Sequence, residues 1–403
     1  MRTVQAAIVQ QGGRAFVVGG SVRDHLMGRE VKDWDIEVYG LPTQALERAL
    51  RGVGPVNAVG KSFGVFKLNH AGLGEVDVSI PRRDSNAGPG HRGIAVEGDP
   101  NMSITEAARR RDLTINAILY DLQDNVLLDP FHGQQDLASR TLRAVDVNTF
   151  LDDPLRALRV LQFAGRLRFE VAPELRALCA EAPIEELPAE RILGEFSKLF
   201  LRGVTPSYGL AIGHETGLLS RLFPEAYPHL SETQDHVIDV LVRDALHSEE
   251  PTSVRLALCL ATWLAHAPEP ALTATLDRLN VYRLQGTNIR EIVRSLVGHV
   301  DDPLETSRDL RWLSTHATVE HVLRIRSARG EDVTEIRAHA AGLGVLRNAP
   351  PQLLRGRDLK ALPIAPGPEM GKLLAYVYAK QLDGDIETHE QALAAAHASL
   401  SDQ

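Results

Sequence analysis

The stretch VVGGSVRDHLMGREVKDWDIE, residues 17–37, carries two devices that make sense together and decide how the rest of the chain is read. Phe16 to Val18 predicts a short buried strand, Gly19-Gly20 a turn with little side-chain bulk, and Ser21 to Met27 a helix capped by Ser21. Such a turn aims backbone N–H groups and the positive end of a helix at an anion. Lys32 to Glu37 follows as a strand, whose period of two sets Asp33, Asp35 and Glu37 on one face and Trp34 and Ile36 on the other. Neighbouring carboxylates repel and settle only around a cation. Either device alone reads as an ordinary turn or a solvated strand end. Together, a phosphate cradle leading into a divalent-metal pair is the minimum equipment for moving a nucleotide. The G-x-G-x-x-G spacing of a dinucleotide fold is absent: counted from Gly19, Ser21 and Asp24 stand where glycines belong.

Composition bounds the rest. A chain of 403 residues, 44% hydrophobic and 24% charged, is an ordinary globular sequence with room for two to four structural units. No basic, apolar leader and no apolar run of membrane-spanning length is visible, so a cytoplasmic protein without membrane attachment is expected. Cys179 and Cys259, the two cysteines, lie far apart in apolar helical contexts and read as buried thiols. The net charge of -9 argues against a protein that coats nucleic acid indiscriminately, but Arg82-Arg83, Arg109 to Arg111, and Arg156, Arg159, Arg166 and Arg168 form local basic clusters.

Residues 3–11 predict an amphipathic helix, residues 43–51 another, and residues 65–69 and 75–80 two alternating strands. Asp77, on the second of these strands, reads either as a third carboxylate beside Asp33 and Asp35 or as a solvent-facing strand residue. Residues 81–101, rich in Gly, Pro and polar side chains, predict a loop with little structure of its own. Ser103 caps a helix to Asp112, with Glu106 completing a capping box, and residues 126–129 form a last strand. From Leu137 onward, periodic Leu and Ala and repeated caps predict an essentially all-helical remainder. Within it Asp152-Asp153-Pro154 opens a helix that carries Arg156 and Arg159 on one stripe, and residues 188–200 form a helix with Ile192, Phe196, Leu199 and Phe200 inward and Glu190, Glu195 and Lys198 outward.

These segments resemble the class II tRNA nucleotidyltransferases, the CCA-adding enzymes, and their relatives the bacterial poly(A) polymerases. The likeness runs through GGSVRDHLMG and KDWDIEVYG, RRRDLTINAILYD (109–121), DPFHGQQDL (129–137), DDPLRALRVLQFAGRLRF (152–169), AERILGEFSKLF (189–200) and, more weakly, GRDLKALPIAPGPEMGKLL (356–374). The resemblance implies an α+β protein: a small N-terminal polymerase-β-like nucleotidyltransferase mixed sheet with helices, then an elongated all-α region. Its implied parts are a catalytic head, residues 1–138, a base-recognising neck, 139–202, a body, 203–330, and a tRNA-binding tail, 331–403.

The same resemblance implies roles residue by residue. Asp33 and Asp35 would hold two Mg²⁺ ions, with Asp77 as a further acid, while Gly19, Gly20, Ser21, Arg23 and Asp24 belong to the triphosphate turn. Arg110, Arg111, Asp112 and Asn116 match the motif that selects ribose and steadies the triphosphate. Asp152, standing for the usual Glu, with Asp153, Arg156 and Arg159 matches the motif in which amino acids replace a nucleic-acid template: Asp offers only acceptors and Arg only donors to the edge of the incoming base. Asp129 and Asp136 match a third motif, and also read as turn and cap carboxylates. Residues 81–101 correspond to the loop used in switching from C to A addition. Implied partners are the tRNA 3′ end, CTP and ATP, with no obligatory protein partner; Arg355, Arg357, Lys360 and Lys372 are candidate phosphate contacts in the tail. Long relatives often carry a metal-dependent phosphohydrolase in the body, but here Leu258-Cys259-Leu260-Ala261-Thr262-Trp263 stands where its His-Asp pair would fall. His236, His247 and His266 are therefore expected to be surface or partly buried histidines without a metal.

Overall fold

The computed structural model describes residues 1–31, 33–60, 64–86, 94–244, 249–359, 364 and 366–401. Two compact units emerge, Met1–Leu187 with Glu215–Leu218, and Pro188–His214 with Leu219–Gln403.

The first unit begins with helix α1 (Arg2–Gln10), which buries Val4 and Ile8, and strand β1 (Arg14–Val18). Then follow α2 (Gly20–Leu26), β2 (Trp34–Tyr39), α3 (Thr43–Arg51), β3 (Val56–Gly60), β4 (Val65–His70) and β5 (Gly74–Ser79). After a β6 (Arg82–Asn86) and β7 (Ile94–Gly98) pair come α4 (Ile104–Arg109), β8 (Leu119–Asp121), β9 (Val126–Leu128), α5 (Gly133–Ala138), α6 (Leu155–Leu167) and α7 (Pro173–Glu181). One seven-stranded sheet, in the order β3-β4-β5-β2-β1-β8-β9, organises it. Only β2 and β5 run parallel among these neighbours, so the sheet is mixed as the resemblance implied.

Period-two alternation divides the sheet's residues between two cores. Val17, Ile36, Val38, Phe66, Val76 and Val78 pack with α1 and α3 on one face. Phe16, Val18 and Tyr39 pack with Met102, Ala107 and Ala108 on the other. Asp35 and Glu37, alternating with Ile36 and Val38, are thereby placed on the second face, toward α4.

Four local expectations are corrected. The N-cap of α2 is Gly19, at φ +69°, and Ser21 lies inside the helix. Asp33 occupies the bend just before β2, whose first residue is Trp34. Residues 81–101 are not a bare loop: β6 and β7 pair antiparallel from Arg82 opposite Gly98 to Asn86 opposite Ile94, with residues 87–93 outside those described. The polar composition of the stretch hid this pairing. Finally, α4 stops at Arg109 and α6 starts at Leu155 behind Pro154, leaving Asp152 in a 3₁₀ turn (Phe150–Asp152) and Asp153 in extended backbone. The fixed φ of Pro154 suits the position just before the first turn, where no N–H is missed.

Among the described residues the second unit is helical apart from a two-residue strand pair, Arg283–Leu284 with Thr287–Asn288, that the periodicity does not announce. Its first helix, α8 (Ala189–Arg202), buries Ile192, Phe196, Leu199 and Phe200 as expected. Glu195, expected outward, is 4% exposed and accepts a hydrogen bond from Lys198 Nζ at 2.7 Å. That pairing one turn away lets a carboxylate sit on the inner face. Phe196, Phe200 and Phe223 surround Trp263 with ring centroids 5.4, 6.0 and 5.3 Å away. Cys179 in the first unit and Cys259 in the second are buried, and burial pushes both thiols up to about 12. Among the described residues no helix is long and apolar enough to cross a membrane.

Candidate active site

The site is built where β1 ends. Gly19 takes a left-handed conformation, and a Cβ there would lie 2.9 Å from a terminal nitrogen of Arg111 and 3.9 Å from a carboxylate oxygen of Asp35. Only a glycine allows that guanidinium and that carboxylate to close over the turn. Ser21 does not cap; its hydroxyl donates to the Asp33 carbonyl at 2.9 Å and accepts from the Asp35 N–H at 3.1 Å, stapling α2 to the start of β2.

Across the parallel pair, Asp35 stands directly opposite Asp77. Burial, then the Asp77 charge, raise the Asp35 carboxyl to about 6, with Arg111 opposing and Asp33 adding to the rise. Asp77 Oδ1 is buried without a hydrogen-bond partner among the described residues, and Lys67 Nζ lies 3.6 Å from it. Asp77 is thus the register neighbour of Asp35, with its side chain half exposed. Crowded carboxylates and an orphaned oxygen fit a divalent cation. Among the described residues no three His, Cys, Asp or Glu side chains form a cage that would hold one alone. Magnesium bound through one or two carboxylates ordinarily takes its remaining ligands from water and substrate phosphates.

A second network lies behind the turn. Arg23, 2% exposed, spans from Asp24 Oδ1, at 2.8 and 2.9 Å, to Asn116 Oδ1 at 2.6 Å. Asn116 Nδ2 donates to Asp112 Oδ1 at 3.0 Å, and Asp112 Oδ2 accepts from Arg159 Nε at 2.7 Å. Burial works against the Asp112 carboxylate, but Arg159, Asn116 and the Leu113 N–H outweigh it and hold its pKa below the usual range. The ring of Phe163 lies between the guanidinium groups of Arg23 and Arg159, at 5.1 and 5.3 Å. Thus residues 23, 24, 112, 116 and 159, scattered over the sequence, form one chain from α2 to α6.

The remaining expectations sort as follows. Arg156 gives one terminal nitrogen to the Thr149 carbonyl at 2.8 Å and the other to the Arg110 carbonyl at 2.7 Å, so its fork is fixed in plane. Asp153 accepts from the Leu155 N–H at 3.2 Å, while Asp152 is exposed. Asp129 accepts from the Gly133 and Gln134 N–H groups at 2.7 and 2.9 Å, and Asp136 from Thr114 Oγ1 at 2.7 Å, which is turn and scaffold chemistry. In the second unit Arg355, Arg357 and Lys372 are exposed; Lys372 contacts Glu369 and Arg357 lies 3.8 Å from Asp358. Lys360, Pro363 and His247 fall outside the described residues. His236 bonds the Glu232 carbonyl and His266 bonds Gln234.

The sequence does not announce Tyr39 and Phe163 as part of the site, nor the partners of Glu37 and Arg166. Tyr39 donates to Glu37 Oε2 at 2.7 Å, Glu37 Oε1 lies 3.7 Å from Arg111, and Arg166 reaches Asp24 at 3.2 Å. The alternation of DWDIEVY had already put Glu37 on the face of Asp35. Nothing in the sequence pairs position 166 with 24.

A mixed sheet that sets Asp35 opposite Asp77 beside a glycine turn backed by the buried Arg23 has the layout of a nucleotidyl-transferring head, and comparison with known proteins agrees. Residues 15–143 match the poly A polymerase head domain, and residues 168–230 the probable RNA and SrmB-binding site of polymerase A. A multifunctional CCA protein of Pseudomonas aeruginosa is 34% identical over 326 residues, covering 73% of this chain and 76% of that protein. One of Aromatoleum aromaticum is 36% identical over 275 residues, 64% of each. The aligned part spans less than two thirds of several such relatives. The CCA-adding enzyme of Bacillus stearothermophilus in complex with CTP shares the fold, with a TM-score of 0.76 at 22% identity over 99% of this chain and 96% of that one. The chain belongs to the family of the CCA-adding tRNA nucleotidyltransferases and poly(A) polymerases.

Proposed function

We propose that this chain is a template-independent tRNA nucleotidyltransferase that adds C and A to the tRNA 3′ end from CTP and ATP, releasing pyrophosphate. The observation that carries the reading is the Asp35 carboxyl, raised to about 6 opposite Asp77 and directly beside the Gly19 turn under Arg111. Asp33 and Asp35 would hold divalent cations, two Mg²⁺ by the resemblance, whose charge would ease ionisation of the attacking 3′ hydroxyl and neutralise the departing pyrophosphate. Gly19 and Gly20 leave room for the triphosphate, and Arg111, held by Glu37, supplies a planar fork for its oxygens. Arg23, Asp24, Asp112, Asn116 and Arg159 keep the turn and α6 in register.

Base choice falls to Asp153 and Arg156. Each terminal nitrogen of Arg156 uses one hydrogen on a backbone carbonyl and keeps another for a base edge. A base that leaves such a donor unpaired loses roughly 1–3 kcal/mol. The exposed Arg355, Arg357 and Lys372 would contact tRNA phosphates.

The test is primer extension with purified protein, Mg²⁺ and tRNA ending before CCA, after C or after CC, with CTP and ATP offered singly and together. Growth to full CCA supports the proposal. Extension only of tRNA ending in CC would make it an A-adding enzyme, and long A tails a poly(A) polymerase. No incorporation from any combination refutes the enzymatic reading.

A further inference from the structure

The second unit contains a cavity of about 330 Å³ that the nucleotide-transfer reading does not use. Phe200, Leu258 and Cys259 give it an apolar floor. Its wall carries three arginines from three helices: Arg255 on Thr252–Trp263, Arg324 on Val319–Ala328 and Arg337 on Thr334–Gly342. Glu320 and Asp244 are the acids among its lining, so the guanidinium groups outnumber them by one. Arg337 Nε donates to Glu320 at 3.1 Å, and Arg324 lies 3.5 Å from Glu250. Arg255 forms no ion pair among the described residues, and its Nε is buried without a hydrogen-bond partner. A buried N–H left without an acceptor is costly unless an anion joins it.

We infer that this cavity is a binding site for a phosphomonoester, with Arg255 as its principal anion contact. Planar guanidinium forks match phosphate oxygens, which is why arginine recurs at such sites. The volume lies at the low end of ordinary small-molecule pockets, roughly 300–1,000 Å³. It suits a phosphate attached to a compact ring body resting on Phe200 and Leu258, as in a nucleoside monophosphate. The neighbouring Cys259 thiol, which burial keeps neutral, adds no charge to repel an anion.

The inference is tested by isothermal titration of the full chain with AMP and with inorganic phosphate, both in EDTA so that cation-dependent binding at the acid pair does not contribute. Saturable AMP binding, competed by inorganic phosphate and weakened roughly tenfold or more in Arg255→Met, supports it. Ser327→Trp, which narrows the cavity from its lining without removing a charge, should give the same loss. Both variants should still incorporate nucleotides. Equal affinity for inorganic phosphate and AMP would also support the site and identify free phosphate as its source. Absence of saturable binding by either probe, AMP binding indifferent to phosphate, or binding unchanged in both variants overturns the inference.

Discussion

Arg23, Asp112 and Asn116 in the first unit are nearly as hidden from water as Phe196, Phe223 and Trp263 in the second, yet the two sets do opposite work. The aromatic cluster gains its free energy by leaving water, and it tolerates any arrangement that fills the space. The polar chain gains little net free energy from burial, because each hydrogen bond replaces one made to water. What it provides is position: every donor and acceptor fixes the next, from Asp24 through Asn116 to Arg159. Damage to the first set should therefore appear in chemistry, and damage to the second in stability.

Four experiments sharpen or break this contrast. The largest effect is expected from Asp35→Ala, which should lower nucleotide incorporation by about three orders of magnitude or more while leaving the unfolding midpoint at pH 8 unchanged or raised. Retained incorporation in a primer-extension assay would remove Asp35 from the mechanism. Next comes Trp263→Ala, which should cost about 3–5 kcal/mol in chemical denaturation through the cavity it leaves. Trp263→Phe should cost far less, since the indole N–H is buried without an acceptor among the described residues; equal losses for the two would show that this nitrogen has a partner.

Arg159→Ala is expected to lie between the two classes. It strands the buried Asp112 carboxylate, for a stability loss of about 1–3 kcal/mol, and loosens α6, so nucleotide discrimination measured as the ratio of kcat/KM values for correct and wrong bases should fall as well. A loss of stability with discrimination intact would make the polar chain a mere structural substitute for an apolar core.

The smallest effect is the pH dependence of the metal-free protein. The folded Asp35 carboxyl, raised to about 6, holds a proton that an unfolded one would release near pH 4. Between those values the folded state binds more protons, so the stability tied to this group falls as pH rises and is lowest above about pH 6. Thermal unfolding in EDTA should show that slope in the wild type and not in Asp35→Asn. An identical profile for both would mean that Asp35 titrates normally.

The sequence showed the first unit's elements better than their partnerships. Alternation and capping residues announced β1, β2, β4, β5 and α3, because each is specified by neighbours within a turn or a pleat. The β6–β7 hairpin escapes because Arg82 to Asn86 holds no apolar residue to alternate, so the Gly- and Pro-rich stretch reads as one loop. Ser21 was read as a cap since serine before an apolar run usually is one; the backbone of Asp33 and Asp35 offered the hydroxyl a better arrangement. Asp33 and Asp35 are visible as a pattern, but the meeting of Asp35 with Asp77 depends on the parallel register of β2 and β5, which no local rule dictates. The bond between Arg23 and Asn116 joins positions 93 apart, and only the fold brings them within reach.

One small oxygen has a wider consequence than its size suggests. Because the Ser21 hydroxyl grips the backbone on both sides of Trp34, a shift of α2 drags the start of β2 with it. Where α2 meets the triphosphate and β2 the cations, as proposed, substrate arrival and metal placement would be mechanically one event. Shortening that side chain by a single atom, as in Ser21→Ala, should uncouple them, so that triphosphate affinity survives while its dependence on magnesium concentration grows shallower.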